Sequence, residues 1–101
     1  MADIATFEEG VRCSELGCDI ISTTLSGDTD ESDFGLNTPD FELLEKLVKT
    51  IKTPVILEGR IWSVEEVKRG FELGAYSVVI GSAITRPQLV TRKFVNYKEI
   101  V

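Results

Sequence analysis

The sequence predicts an α/β fold in which parallel strands alternate with helices. Short runs of β-branched and other apolar residues alternate with segments whose apolar residues recur at helical spacing. In addition, residues 6–17 align without a gap with residues 63–74, and six of the twelve positions are identical. Each copy has the pattern of a capped helix that runs through Leu-Gly into an apolar strand. The offset of 57 residues from one copy to the next accommodates two βα units, as a parallel array requires.

The limits of each element follow from capping and turn signals. Helices are expected over residues 6–16, 38–51, 63–74 and 85 to about 97, and strands over residues 19–23, 54–57 and 77–80. Thr6 and Glu9 have the spacing of a capping box, which marks the start of the first helix. Thr38 and Pro39 are expected to open the second helix, with proline at its first position. Residues 24–37 form a loop rich in Gly, Ser, Asp and Thr.

Composition and charge exclude several classes of function. The 101 residues suit one domain, and their net charge of −6 gives no basic surface for nucleic acid or an anionic membrane. The chain has no histidine, which excludes His-based metal sites and Ser-His or Cys-His nucleophile pairs. No apolar run approaches a membrane span, and the first residues lack the basic region of a signal peptide, so we expect a cytoplasmic protein. Cys13 and Cys18 are then expected to be free thiols that are buried as small hydrophobic side chains.

Candidate site residues follow the predicted strands, because chemistry in parallel α/β folds is located at the carboxyl ends of strands. Thr24 and Ser26 follow the first complete strand and could bind a polar ligand, or they could satisfy only their own loop backbone. Glu58 follows the next strand and suits proton transfer, with Gly59 allowing close approach of a ligand and Arg60 holding an anion. The alternative for these three residues is an ordinary Glu-Arg pair on the surface.

A third candidate lies where the last strand leads into a helix. Gly81 and Ser82 could present free backbone N–H groups to a phosphate, and Arg86 would add positive charge. Gly-Ser is also a common turn, so this motif alone is weak. Its position on the strand after Glu58 strengthens it, because phosphate commonly binds at the last two strands of a barrel.

Four strings identify a resemblance to a known family. They are MADIAT, TTLSG, EGRI and GSAITRP, at residues 1–6, 23–27, 58–61 and 81–87. These strings resemble the second half of the N-acetylmannosamine-6-phosphate 2-epimerase family. The resemblance implies a partial TIM (β/α)8 barrel with parallel strands, roughly strands 5/6 to 8 with their helices, formed by residues 1–101 as one unit. A complete barrel needs about 200–250 residues or more, which agrees with a half.

The resemblance also implies an activity. The family interconverts N-acetylmannosamine 6-phosphate and N-acetylglucosamine 6-phosphate in sialic acid breakdown, without a metal or redox cofactor. The reaction removes a proton at C2 of the ring-opened sugar, stabilises the enolate and returns the proton to the opposite face. The partner of the chain is therefore expected to be a small amino-sugar phosphate, not nucleic acid or a membrane.

The resemblance assigns roles to particular residues. Glu58 is implied as the active-site carboxylate near the reacting carbons, and Asp3 as a residue that faces the sugar. The residues implied in binding the substrate and its phosphate are Gly59, Arg60, Gly81, Ser82, Arg86, Thr24 and Ser26.

One part of the family pattern is missing from these residues. The base of the family is a lysine on the third strand, and only residues 1–3 remain of the fifth strand. None of the lysines present falls at the carboxyl end of a strand. We therefore expect a fragment of an epimerase that is inactive alone. The alternative is a non-catalytic module that binds sugar phosphates or partners. Open sheet edges would favour a homodimer, or association with the missing amino-terminal half.

Overall fold

The structure, a computed structural model, describes residues 1–29 and 37–96, in which four strands alternate with helices. In chain order the elements are β1 (Ala2–Asp3), α1 (Phe7–Glu15), β2 (Ile21–Ser22), α2 (Phe41–Thr50), β3 (Val55–Glu58), α3 (Val64–Glu72), β4 (Ser77–Val79), α4 (Ser82–Thr85) and α5 (Pro87–Val95). None of the helices in these two ranges is long and apolar enough to cross a membrane.

The four strands form one parallel sheet in the order β1-β2-β3-β4. Asp3 pairs with Ser22, Ser22 pairs with Ile56, and Glu58 pairs with Val79. Each strand thus lies beside the next strand in sequence, and at least one helix connects each pair. This order confirms the predicted parallel α/β class and is that of a partial barrel. It also brings all the carboxyl ends of the strands to one edge of the sheet.

The hydrophobic core lies between the sheet and the helices. Ile21, Val55 and Leu57 point from the strands into this layer, where they join Leu44 and Leu47 of α2. All five side chains are at most 2% exposed. Burial of each contributes about 1.5–3 kcal/mol relative to exposure, so this layer holds the strands and therefore their carboxyl ends in place.

The repeated helices begin as the sequence predicts. The Thr6 hydroxyl accepts a hydrogen bond from the Glu9 N–H at 3.2 Å, and the Glu9 carboxylate accepts one from the Thr6 N–H at 3.1 Å. At the start of α3 the Ser63 hydroxyl accepts from the Glu66 N–H at 3.2 Å. The Glu66 carboxylate differs, since it accepts from the N–H of Trp62, one residue earlier, at 2.7 Å. Both helix starts are therefore confirmed, with a complete capping box only in α1.

The second helix begins later than predicted. α2 starts at Phe41, and the residue that caps it is Asp40, whose carboxylate accepts the Leu43 N–H at 3.0 Å. Pro39 lies before the cap and is not the first helical residue. The prediction at Thr38 and Pro39 was wrong because a carboxylate able to accept a first-turn N–H follows directly after the proline.

The last predicted helix, from residue 85 to about 97, begins two residues late as α5, and a short helix that was not predicted, α4, precedes it. α4 and α5 meet at Arg86, whose φ and ψ of −122° and 80° lie outside the helical region. Pro87 causes the break, because the proline ring disfavours the α conformation of the residue before it. The predicted end of this helix, Tyr97, lies outside the described residues.

The two cysteines are free thiols, but the prediction that both are buried was wrong. Cys13 and Cys18 are each only partly buried. Cys13 packs against the margin of the hydrophobic core from the last turns of α1. Cys18 follows Gly17, where the chain leaves the helix and turns toward β2. Both side chains therefore lie where solvent can reach them.

Candidate functional site

Four polar side chains from neighbouring strand ends meet at the carboxyl edge of the sheet. Asp3, Ser22 and Glu58 lie on β1, β2 and β3, and Thr24 follows β2. The Thr24 hydroxyl lies 2.5 Å from Glu58 Oε2 and 3.1 Å from Asp3 Oδ1. The Ser22 hydroxyl lies 3.0 Å from the same Glu58 oxygen and 2.6 Å from Thr24 Oγ1. We refer to these four residues as the carboxylate–hydroxyl cluster.

Hydroxyl groups hold the Glu58 carboxylate in the cluster. A hydroxyl carries one proton, so Ser22 and Thr24 together can donate two hydrogen bonds among the four short contacts. In the described part of the chain, no lysine or arginine forms an ion pair with Glu58. The carboxylate is thus oriented by neutral donors, which leaves its charge available to a ligand. Such a group can transfer a proton or bind a sugar hydroxyl.

Thr23 fixes the end of β3 and was not among the predicted site residues. Its side chain is fully buried. Its hydroxyl donates to the Glu58 carbonyl at 3.0 Å and accepts from the Glu58 N–H at 3.1 Å. The side chain therefore extends the pairing of β2 with β3 by one residue and positions Glu58. Strand alternation was the available signal, because Thr23 follows Ser22 and points to the opposite face.

The backbone turns sharply after Glu58. Gly59 has a φ of +112° and Arg60 a φ of +59°, a conformation that costs a non-glycine residue about 1–2 kcal/mol. The Arg60 guanidinium offsets this cost, because its Nε donates to the Thr38 carbonyl at 2.8 Å and its Nη1 to the Ser26 carbonyl at 2.7 Å. Arg60 was predicted to hold an anion. The structure instead shows two of its nitrogens bound to the backbone of the loop that precedes α2.

Ser26 was predicted to bind the ligand, but it does not line the site. Its side chain is 1% exposed, and its hydroxyl donates to the Asp40 carboxylate. Asp40 also caps α2, so Ser26 connects the loop after β2 to the start of that helix. The hydroxyl therefore has a partner within the fold, but this partner is the half-buried Asp40 side chain and not the loop backbone named in the sequence-based alternative.

A groove of about 290 Å³ lies beside the cluster, close to the smallest size typical of ligand pockets. The candidate site residues that line it are Thr24, Glu58, Gly59, Arg60, Gly81 and Ser82. Gly81 precedes α4, whose first N–H groups have no acceptor inside the helix. Asp28 also lines the groove, which therefore combines two carboxylates with the backbone N–H donors at the start of α4. A hydroxylated anion could place its hydroxyl groups at a carboxylate and its charge at the N–H donors.

Two further predicted residues, like Ser26, lie apart from the groove lining. Arg86 is exposed at the break between α4 and α5, and no contact brings it to the groove. Asp3 is exposed, and within the described residues its carboxylate contacts the site through the Thr24 hydroxyl. No set of three His, Cys, Asp or Glu side chains in residues 1–29 and 37–96 could hold a metal ion.

Parallel βα units with a polar groove at the carboxyl ends of their strands define a section of a (β/α)8-barrel protein. A family model described as "Putative N-acetylmannosamine-6-phosphate epimerase" matches residues 1–99. The chain therefore belongs to this family of carbohydrate epimerases, which are isomerases named for an amino-sugar phosphate. The resemblance carried by the four sequence strings is confirmed.

Individual relatives agree with this assignment. Two curated relatives, each named "Putative N-acetylmannosamine-6-phosphate 2-epimerase", come from Caldanaerobacter subterraneus subsp. tengcongensis and Clostridium perfringens. The first is 54% identical over 97 residues, which cover 96% of this chain and 40% of the relative. The second is 58% identical over 96 residues, which cover 95% of this chain and 43% of the relative. The chain thus spans about two fifths of the length of these relatives.

Solved structures support the fold. The structure of the N-acetylmannosamine-6-phosphate 2-epimerase from Clostridium perfringens matches with a TM-score of 0.92 and 58% identity, over 96% of this chain and 42% of that one. A wild-type GGGPS from Thermoplasma volcanium matches with a TM-score of 0.58 and 19% identity, over 83% of this chain and 31% of that one. The second likeness concerns the fold alone.

Proposed function

We propose that residues 1–101 form the carboxyl-terminal half of a barrel that interconverts N-acetylmannosamine 6-phosphate and N-acetylglucosamine 6-phosphate. The observation that carries the proposal is the Glu58 carboxylate, held 2.5 Å from the Thr24 hydroxyl beside a groove that Gly81 and Ser82 also line. Family membership adds the class of reaction and the substrate. The reaction would belong to sialic acid breakdown and would take place in the cytoplasm.

In this proposal Glu58 acts on the reacting end of the sugar. Epimerisation at C2 needs a proton removed beside the carbonyl of the ring-opened sugar and returned on the other face, with an enolate between the two steps. A carboxylate oriented by Ser22 and Thr24 is suited to assist this transfer or to hold the neighbouring sugar hydroxyl. Asp3, 3.1 Å from Thr24, would bind the sugar from the β1 side.

The phosphate would bind at the opposite side of the groove. Backbone N–H groups at Gly81 and Ser82 favour an anion there, and Gly59 leaves space for it because it has no side chain. Arg60 lines the same groove and could add a third donor from its Nη2, for which the described residues provide no acceptor, since its other two nitrogens hold the loop. Arg86 would take part only if the segment between α4 and α5 moved toward the groove.

The 101-residue chain alone is proposed to bind the sugar phosphate without epimerising it. The resemblance assigns the base to a lysine on a strand outside these residues. β1 and β4 are the two outer strands of the described sheet. Phe94 and Val95 of α5 are 74% and 67% exposed. These open edges and apolar side chains support a partner, either a second copy of the chain or the amino-terminal part of the barrel.

Measurements of ligand binding and of proton exchange at C2 test the binding and the catalytic parts of this proposal separately. Calorimetry with N-acetylmannosamine 6-phosphate should detect binding to the chain, and Glu58→Gln should weaken it. Glu65→Gln, on the exposed surface of α3, should leave binding unchanged. NMR in deuterated water should show no exchange at C2 with the chain alone, and exchange after addition of the amino-terminal part of the Clostridium perfringens relative.

Four results would contradict the proposal in different ways. Exchange by the chain alone would show that the assigned lysine is not required. Binding without exchange after complementation would leave a binding module in place of a catalytic half. A monomeric mass by light scattering at micromolar concentration would contradict self-association, while absence of binding to the chain and to the complemented pair would exclude the groove as the site.

A further inference from the structure

At the carboxyl-terminal end of α1, a backbone hydrogen bond joins two cysteines. The Cys18 N–H donates to the Cys13 carbonyl at 3.1 Å, and the Gly17 N–H donates to the Ser14 carbonyl at 3.1 Å. Gly17 has a φ of +89°. This pair of hydrogen bonds is the Schellman motif, in which the side chains of the first and last residues pack against each other. In α1 those two residues are Cys13 and Cys18.

The repeat shows that the motif itself does not need cysteine. At the end of α3 the Ala75 N–H donates to the Gly70 carbonyl at 3.0 Å, and the Gly74 N–H donates to the Phe71 carbonyl at 3.0 Å. The positions that correspond to the two cysteines are Gly70 and Ala75, which carry no reactive group. The same turn therefore forms without thiols, and the pair in α1 needs a separate explanation.

The two cysteines flank one helix-ending turn, and solvent can reach both side chains. Burial raises the pKa of the Cys13 thiol, and the charge and hydrogen bond of the neighbouring Cys18 raise this pKa further. Both side chains are partly exposed. Cys13 also lines a shallow groove beside Ile4 and Arg12. A small reagent can therefore approach the pair from outside the fold.

We propose that Cys13 and Cys18 form a dithiol site that closes to an intramolecular disulfide when it meets a small disulfide such as oxidised glutathione. The thiolate of one cysteine attacks a sulfur of the reagent and expels one glutathione thiolate, which leaves a mixed disulfide. The second cysteine loses its proton and attacks the protein sulfur of that mixed disulfide, which expels the other glutathione. Two electrons pass from the cysteines to the reagent, and the two thiol protons end on the two reduced glutathione molecules.

The fold favours this reaction because the backbone turn between Cys13 and Cys18 is already formed. The hydrogen bond from Cys18 to Cys13 closes the turn that the disulfide would span. The bond would tie the end of α1 to the segment that leads into β2. It lies at the opposite end of β2 from Thr24, so it adds a site separate from the groove.

A titration of the chain with reduced and oxidised glutathione tests the proposal. After alkylation of the remaining free thiols, mass spectrometry should show that the two cysteines lose their thiols together. The unalkylated oxidised chain should be lighter than the reduced chain by two hydrogen atoms, and a peptide should carry a cross-link between residues 13 and 18. The folded chain should form this bond with an effective thiol concentration at least about tenfold higher than the same chain in urea. Cys18→Ser should instead retain one glutathione on Cys13.

A displaced thiol provides the matched control. Cys18→Ser combined with Thr91→Cys keeps two thiols but moves the second to exposed α5, and it should accumulate two mixed disulfides. The proposal is overturned if the native chain accumulates two mixed disulfides as this control does. It is also overturned if the folded and unfolded chains close the bond with equal ease, because the turn would then contribute nothing.

Discussion

Replacement of Thr23 by valine tests whether one hydroxyl holds the end of β3 in place. Thr23 is fully buried, and its hydroxyl makes two hydrogen bonds with the backbone of Glu58, at 3.0 and 3.1 Å. Valine has the same branched shape and a similar preference for strands, so Thr23→Val removes both bonds without leaving a large cavity.

The expected loss follows from these two bonds. Each contributes about 1 kcal/mol net, and a buried backbone group left without a partner costs about 1–3 kcal/mol. We therefore expect Thr23→Val to lower the free energy of unfolding by about 2–3 kcal/mol. In a domain of this size, about 1 kcal/mol shifts Tm by about 4–8 °C. Thr23→Ser keeps the hydroxyl, loses one methyl group and should cost only about 1 kcal/mol.

Urea unfolding followed by circular dichroism measures the difference between the two variants. The native chain, Thr23→Val and Thr23→Ser should show the same dependence of unfolding free energy on urea, with Thr23→Val having the lowest midpoint. The reasoning is refuted if Thr23→Val is as stable as Thr23→Ser, because the two hydrogen bonds to Glu58 would then contribute no stability.

Two further changes test other contacts. Asp40→Ala removes the cap of α2 and the partner of the buried Ser26 hydroxyl, so it should lower the free energy of unfolding by about 2 kcal/mol. Asp40→Asn keeps an acceptor and should cost less than half as much in the same urea assay, and equal losses would argue against both contacts. The raised pKa of Cys13 reduces its thiolate fraction at neutral pH, so the midpoint of its iodoacetamide rate against pH should lie above that of an ordinary thiol. Cys18→Ser should move this midpoint down, and an unchanged curve would contradict the influence of Cys18.

Local signals determined which parts of the fold could be predicted. The starts of α1 and α3 depend on Thr6 and Ser63, whose partners lie three residues away, so the sequence contains the whole interaction. The break before Pro87 was also local and could have been predicted from the proline. The start of α2 was misplaced because two capping signals, Thr38 and Asp40, compete within three residues.

The site was harder to predict because its hydrogen bonds join distant parts of the chain. Thr24 and Glu58 are 34 residues apart, and only the parallel order of the strands brings them to 2.5 Å. The rule that strand ends converge was enough to suggest both residues. Nothing near Ser26 or Arg60 in sequence shows that one donates to Asp40 and the other to loop carbonyls. Their hydrogen-bonding partners depend on the path of the loop, which has no periodic pattern.

Because Arg60 donates to loop carbonyls, the loop competes for the Arg60 guanidinium with any anion that binds in the groove. An anion that recruits the whole guanidinium must displace the carbonyls of Ser26 and Thr38. Loss of two hydrogen bonds of about 1 kcal/mol each would weaken such binding about 30-fold. By reciprocity, an anion held through Arg60 loosens the loop by the same free energy. Substitutions that change the path of the loop would thus tune affinity without touching the groove.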